Sequence, residues 1–143
     1  MPEKDQERLA TDLGATVAQL MRHLRAASPQ GELTPTQRSV ISRIDTDGPA
    51  TIAALARAEL VRPQSMRLTV GALEEHGILA RSPHPTDGRQ VVFALTDEGR
   101  RMLAAVRQAK QNWLAVAIAE RLSAEEQRTL AAATALIRRL MPQ

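Results

Sequence analysis

Apolar residues recur along this chain at helical spacing in most places and in short β-rich runs in one, and that change lays out its elements. Between residues 5 and about 27, Leu9, Leu13, Val17 (or Thr16), Leu20 and Leu24 return every three or four positions, with Met21 beside them. Such spacing gathers them into one ridge of a long helix. Ser28-Pro29-Gln30-Gly31 predicts a loop. Thr34 is placed to cap a second helix, with Pro35 in its first position and Gln37 as the reciprocal capping-box partner. Val40, Ile41 and Ile44 face inward on it, and Asp47-Gly48-Pro49 stops it. Thr51 caps a third helix with Ile52, Leu55 and Ala56 on its apolar face. The segment Glu59-Leu60-Val61-Arg62-Pro63 breaks that helix, and Pro63 suits the first turn of a fourth. Met66, Val70 and Leu73 form a single buried stripe there, and Gly77 is the natural stop.

The period then changes. Ile78-Leu79-Ala80-Arg81 and Val91-Val92-Phe93-Ala94-Leu95 predict two strands, and the polar tip from Ser82 to Arg89 is too long for a tight turn. Thr96 caps a long helix to about 119, with Met102 or Leu103, Val106, Ala109, Trp113 and Val116 as its apolar positions. After a break at Arg121-Leu122, the capping box Ser123-x-x-Glu126 opens a last helix carrying Leu130, Ala133, Leu136, Ile137 and Leu140. Two short helices at a steep angle followed by a hairpin is the layout of a winged helix-turn-helix, a DNA-reading module. The expected fold is therefore mainly α with a small β-hairpin wing. The terminal helices carry more apolar surface than a small winged-helix core can cover. They read as an intertwined dimerisation layer, with plain packing of the first helix on its own domain as the alternative.

Composition narrows this picture. A chain of 143 residues is the size of one ordinary domain. Phe93 and Trp113 are its only aromatic residues, so the core must come from Leu, Ile, Val, Met and Ala. The net charge of +3 rests on arginine far more than lysine, which suits bidentate recognition of phosphate and guanine but equally reflects genomic base composition. There are no cysteines, which excludes disulfides, a cysteine-based zinc site and a thiol redox switch. The start, Met1-Pro2-Glu3-Lys4-Asp5-Gln6-Glu7, is polar and mixed in charge, unlike a signal peptide. The longest apolar run, Trp113 to Ala119, is far too short to span a bilayer, so a cytoplasmic location with no membrane partner is expected. His23, His76 and His84 fall on separate elements without metal-ligand spacing, and no phosphate loop, nucleophile elbow or HExxH motif occurs. Neither an enzyme nor a cofactor is expected.

The order and spacing of several short pieces resemble one family. Leu55-Ala56, Leu73 with Gly77, Arg81, Pro85-x-Asp87-Gly88-Arg89 and Leu95-Thr96-Asp97-Glu98-Gly99 are similar to the MarR family of bacterial transcription regulators. Leu33-Thr34-Pro35-Thr36-Gln37 upstream and Leu122-Ser123-Ala124-Glu125-Glu126 downstream extend the resemblance over nearly the whole chain. It implies one MarR-like domain over residues 1–143, with 33–96 reading DNA and 5–27 and 97–141 dimerising. It also implies a homodimer on an inverted-repeat operator in double-stranded DNA, its two recognition helices about one DNA turn apart. A small amphipathic, often phenolic, acid held between the dimer layer and the reading head is the effector it implies, with His23 and Trp113 as candidate lining residues. Core packing or solvation is the competing role for both.

On the recognition helix, stepping around from Met66 points Gln64, Leu68, Gly71 and Glu75 away from the core, with Ser65, Arg67 and Ala72 flanking. Because DNA-reading helices use their N-terminal half, Gln64, Ser65, Arg67 and Leu68 are candidates for base contact, with Arg62 and Pro63 near the backbone. Thr36 and Arg38 are candidate phosphate contacts at the second helix N-terminus. The resemblance implies that Asp87 and Arg89 enter the minor groove, the acid orienting the base, with a turn closed by a local Asp–Arg pair as the alternative. Arg81, at the wing base, is expected to touch phosphate or to pair with Asp87. Leu68 and Gly71-Ala72 depart from the family, which often has an arginine at the first and an acidic-basic pair at the second. Those departures bear on which operator is read, and they leave a protein-interaction module that has lost DNA reading as the alternative function.

Overall fold

The computed structural model describes residues 2–28 and 33–143. The expected loop over Ser28-Pro29-Gln30-Gly31 lies, from Pro29 on, outside the described residues. In chain order the elements are α1 (Pro2–Ala27), α2 (Pro35–Asp47), α3 (Ile52–Glu59), α4 (Pro63–Glu75), β1 (Leu79–Pro83), β2 (Val91–Leu95), α5 (Asp97–Arg121) and α6 (Ala124–Leu140). The architecture is thus mainly helical with one two-stranded antiparallel hairpin. Two compact units result, one of residues 1–29 with 107–143 and one of residues 30–106, the division falling inside α5.

Local signals account for the helix ends. The Gln37 N–H donates to Thr34 Oγ1 at 3.1 Å and the Thr34 N–H to Gln37 Oε1 at 2.9 Å, the reciprocal capping box that starts α2. Thr51 Oγ1 accepts from the Ala54 N–H at 3.1 Å and starts α3. Ser123 and Glu126 form the second capping box, at the start of α6. At the end of α4, Gly77 adopts a φ of 76° and its N–H reaches the Glu74 carbonyl, while the Ile78 N–H returns to the Leu73 carbonyl at 2.9 Å. This pair of backward bonds closes a Schellman motif, which needs a residue free to be left-handed.

The core of the 30–106 unit is built from the residues that the periodicity marks. Val40, Ile41 and Ile44 of α2, Leu55 and Ala56 of α3, and Met66, Val70 and Leu73 of α4 meet Leu79, Phe93 and Leu95 of the hairpin, with Ile78 and Leu103 closing the cluster. The hairpin pairs Leu79 with Leu95 and Arg81 with Phe93. Ile78 belongs to the helix exit, so β1 starts one residue later than the pattern suggested and runs on to Pro83. Ala50 adds a bridge that the sequence did not signal: it exchanges backbone hydrogen bonds of 3.1 and 2.8 Å with Phe93, tying the link before α3 to the wing.

Gly99 has its own packing reason. A Cβ there would stand 2.4 Å from the Ile78 carbonyl oxygen, so α5 can pass this closely only with glycine at that position. Thr96 Oγ1 donates to the Gly77 and Ile78 carbonyls and accepts from the Gly99 N–H, fastening the start of α5 to the end of α4.

In the other unit, α6 buries no residue fully, and among the described side chains of α1 Leu24 is the one buried apolar residue. Leu9, Val17, Leu20 and Met21 of α1 are exposed, as are Val116 of α5 and Leu130, Leu136, Ile137 and Leu140 of α6. Among the described residues no helix is long and apolar enough to cross a membrane, and no cluster of His, Asp and Glu is placed to hold a metal ion.

Candidate nucleic-acid interface

The site begins with the turn that aims α4. Leu60 ends α3 at a φ of 56°, left-handed backbone that costs a leucine about 1 kcal/mol, and its side chain is 92% exposed. The Leu60 and Val61 N–H groups close the turn onto the Arg57 and Ala56 carbonyls. Arg62 follows as N-cap of α4 without supplying a side-chain cap, and Pro63 has no N–H to satisfy. The first-turn amides of α4 therefore face outward with no protein acceptor from the cap, a setting that favours an anion.

Met66, Val70 and Leu73 turn the other face of α4 into the core, each no more than 1% exposed. Arg62, Pro63, Gln64, Ser65, Arg67 and Leu68 are all exposed, Leu68 at 76%. Gly71 and Ala72 are half-buried, and Gly71 keeps the outward direction that the helical wheel assigned it. No protein atom comes within 4 Å of a Cβ built on Gly71, which removes close backbone packing as the reason for glycine there.

Arg81 departs from one of the two roles expected of it, the pairing with Asp87. It pairs with Glu74 of α4 rather than with Asp87, through Nε to Oε2 at 2.9 Å and Nη2 to Oε1 at 2.7 Å. Its guanidinium also lies over the Phe93 ring, 5.5 Å from the centroid. The hydrogen bonds from Arg81 hold the Glu74 carboxyl below the usual carboxylate range against a smaller opposing push from burial. The base of the wing is thereby fastened to the recognition helix by a planar, two-pronged ion pair. Asp87 pairs within the tip instead, accepting from the Arg89 N–H at 3.1 Å and standing 3.5 Å from Arg89 Nε. The Arg89 side chain is 95% exposed.

Thr36 and Arg38 lie in the first turns of α2 and are half-buried. One Arg38 Nη1–H is turned back to the Leu33 carbonyl at 2.9 Å. Further along α2, Ser39 and Arg43 both donate to Glu59 of α3. The Ser39 hydrogen bond first, opposed by burial and then reinforced by Arg43, holds the Glu59 carboxyl below its ordinary value. Sequence reading missed this link because neither arginine–glutamate pair falls at a helical i, i+4 spacing.

A cleft of about 470 Å³ opens between α3, α4 and the wing, with Val70, Val91 and Phe93 as apolar lining and Arg67, Glu74 and Arg81 as charged lining. In the other unit, His23 and Trp113 stack with centroids 5.9 Å apart and planes 10° from parallel. The two residues proposed from sequence are thus neighbours, packed on one another.

A short helix, a left-handed turn and a second helix with an open polar face, backed by a hairpin bearing an exposed arginine, define a winged helix-turn-helix regulator that binds DNA. Residues 33–91 match the model of the MarR family. An uncharacterised HTH-type transcriptional regulator of Mycobacterium bovis is 39% identical over 112 residues, 78% of this chain and 78% of its own. The HTH-type transcriptional repressor MdtR of Bacillus subtilis is 27% identical over 101 residues, 67% of this chain and 64% of its own. A transcriptional regulator of Thermotoga maritima shares the fold, with a TM-score of 0.81 over 96% of this chain and 99% of that one at 20% identity. The chain belongs to the MarR family of transcriptional regulators.

Proposed function

We propose that this regulator is a homodimeric repressor of the cytoplasm that occludes an inverted-repeat operator, with α4 in the major groove and the wing tip in the adjacent minor groove. In this reading, residues 33–96 read DNA and the helices of 5–27 and 97–141 dimerise. The observation that carries it is the open N-terminal face of α4 together with the exposed guanidinium of Arg89 in the same compact unit. Gln64 and Arg67 have the donors and acceptors for adenine and guanine edges, and Leu68 offers an apolar contact for a thymine methyl. In this reading Ser65 joins them at the base edges, Arg62 and Pro63 stand near the phosphate backbone, and Thr36 and Arg38 are further backbone contacts. Arg89, oriented by Asp87, suits a narrow minor groove. A dimer is supported by the row of exposed leucines on α1 and α6, and repression by the similarity to MdtR.

A small amphipathic acid is the effector in this reading. The cleft beside α4 is large enough for one, and its arginines stand over apolar walls. An acid there competes with Glu74 for Arg81 and so loosens the wing from α4, which biases the reading head between two states. The His23–Trp113 stack is the other candidate contact.

Titration of the purified protein against genomic fragments, followed by footprinting, tests the reading. A protected inverted repeat with two major-groove half-sites supports it, whereas only non-specific binding lost at moderate salt leaves a protein-interaction role. Arg89→Ala is expected to weaken operator binding by roughly 1–3 kcal/mol at constant salt without unfolding the protein. A wild-type isotherm for that variant removes the wing from the interface.

A further inference from the structure

The wing tip contains a histidine whose ring holds the loop together. His84 is half-buried between Pro83 and Pro85, two residues with no N–H to offer a hairpin ladder. In place of that ladder, the backbone N–H groups of Thr86 and Asp87 both point to His84 Nδ1 at 3.2 Å, and the Thr86 hydroxyl lies 3.3 Å from the same atom. The His84 N–H donates to the Gln90 carbonyl at 3.0 Å and the Gln90 N–H to the Asp87 carbonyl at 3.0 Å, which closes the tip. Asp87, with its backbone so fixed, accepts from the Arg89 N–H and stands against Arg89 Nε. A continuous set of contacts runs from the His84 ring through Asp87 to the exposed guanidinium.

We propose that His84 is a positioning residue of the wing, its neutral imidazole accepting from the Thr86 and Asp87 backbone so that the tip presents Arg89 in one orientation. The proposal rests on the reading of the wing as a DNA-contacting element. A ring nitrogen that accepts cannot carry a proton, so this tip requires the tautomer with hydrogen on Nε2. Protonation would set a third N–H against the two backbone N–H groups, and both hydrogen bonds would be lost. The other charged side chains of the hairpin are Arg81, engaged by Glu74 at the base, and Asp87 and Arg89, engaged with each other. Acid therefore opens the tip and weakens that part of DNA binding which Arg89 supplies.

The test uses the full chain and the operator fragment found by footprinting, at constant salt. Amide NMR spectra recorded as the solution is acidified from neutral pH follow Thr86 and Asp87 without DNA. Both amides are expected to move and to exchange faster as the ring protonates. Over the same span wild-type affinity for the operator is expected to fall roughly three- to tenfold, the worth of one or two neutral hydrogen bonds. His84→Asn, whose side-chain oxygen can accept from the same amides, should keep the neutral-pH affinity and lack this fall. His84→Phe should bind weakly throughout. Unmoved amides, or a His84→Phe variant that binds like His84→Asn, would overturn the proposal. So would a wild-type affinity that rises in acid while that of His84→Asn stays flat, because the ring would then be acting as a cation on phosphate. If Arg89→Ala binds as tightly as wild type, the wing reading fails and with it the effect on DNA. The amide spectra tell that failure apart from failure of the His84 contact itself.

Discussion

The two compact units use the same apolar periodicity and end in opposite states. In residues 30–106 the stripes of α2, α3 and α4 converge with the hairpin, and Val40, Met66 and Leu73 reach 0% exposure. In the other unit the stripes are as regular, yet Leu9 stays 68% exposed, Leu136 57% and Leu140 70%. Periodicity states which side chains favour burial and is silent about what buries them. The reading unit satisfies its stripes internally. The helical unit leaves an apolar surface of the kind that soluble chains cover with a partner, which is why a second copy of the chain belongs to the proposed function.

The contrast can be broken most directly in the reading unit. Leu73→Ala removes a fully buried side chain from the centre of its core and is expected to cost about 2–5 kcal/mol of unfolding free energy in a guanidinium titration. A cost under about 1 kcal/mol would mean that this core is looser than its burial implies. Leu136→Glu is expected to spare helix content, because the side chain is exposed in the single chain. It should raise the dissociation constant of the proposed dimer by roughly one to two orders of magnitude in sedimentation equilibrium, through an unpaired charge placed in an apolar contact. Unchanged association would remove that face of α6 from the dimer.

The smallest expected effect is on acid stability. Glu59 and Glu74 have carboxyls held below the ordinary glutamate value in the folded chain, by Ser39 and then Arg43 in one case and by Arg81 in the other. A carboxyl depressed on folding adds stability above its unfolded value, about 4.3, and that stability is lost as the pH falls through the folded value. Unfolding free energy should therefore decline more steeply below about pH 4.5 for wild type than for Glu59→Gln. Parallel curves for the two would show that the α2–α3 link contributes nothing to folding. In the helical unit the corresponding depressed carboxyl is Glu126, lowered by the Ser123 backbone and hydroxyl at the start of α6.

Much of the reading head was legible because its signals are local. Thr34 with Gln37 and Thr51 cap their helices within three residues, as Ser123 with Glu126 does in the helical unit, and Gly77 ends α4 through bonds to the turn before it. The exposed row of Gln64, Ser65, Arg67 and Leu68 follows from Met66, Val70 and Leu73 by rotation about one helix axis.

The chain order of its elements, the caps that start them, the polar face of α4 and the family itself were determined by the sequence alone, since each depends on residues within a turn or two of one another or on a motif read in order. Only the tertiary structure decided that Arg81 binds Glu74 and lies over Phe93, that Ala50 joins the wing, that Gly99 must pass the Ile78 carbonyl, and that a histidine ring closes the wing tip. These depend on distances between atoms that the chain brings together only after its core has formed, or on which of several nearby donors a side chain meets. No spacing along a single element encodes that choice.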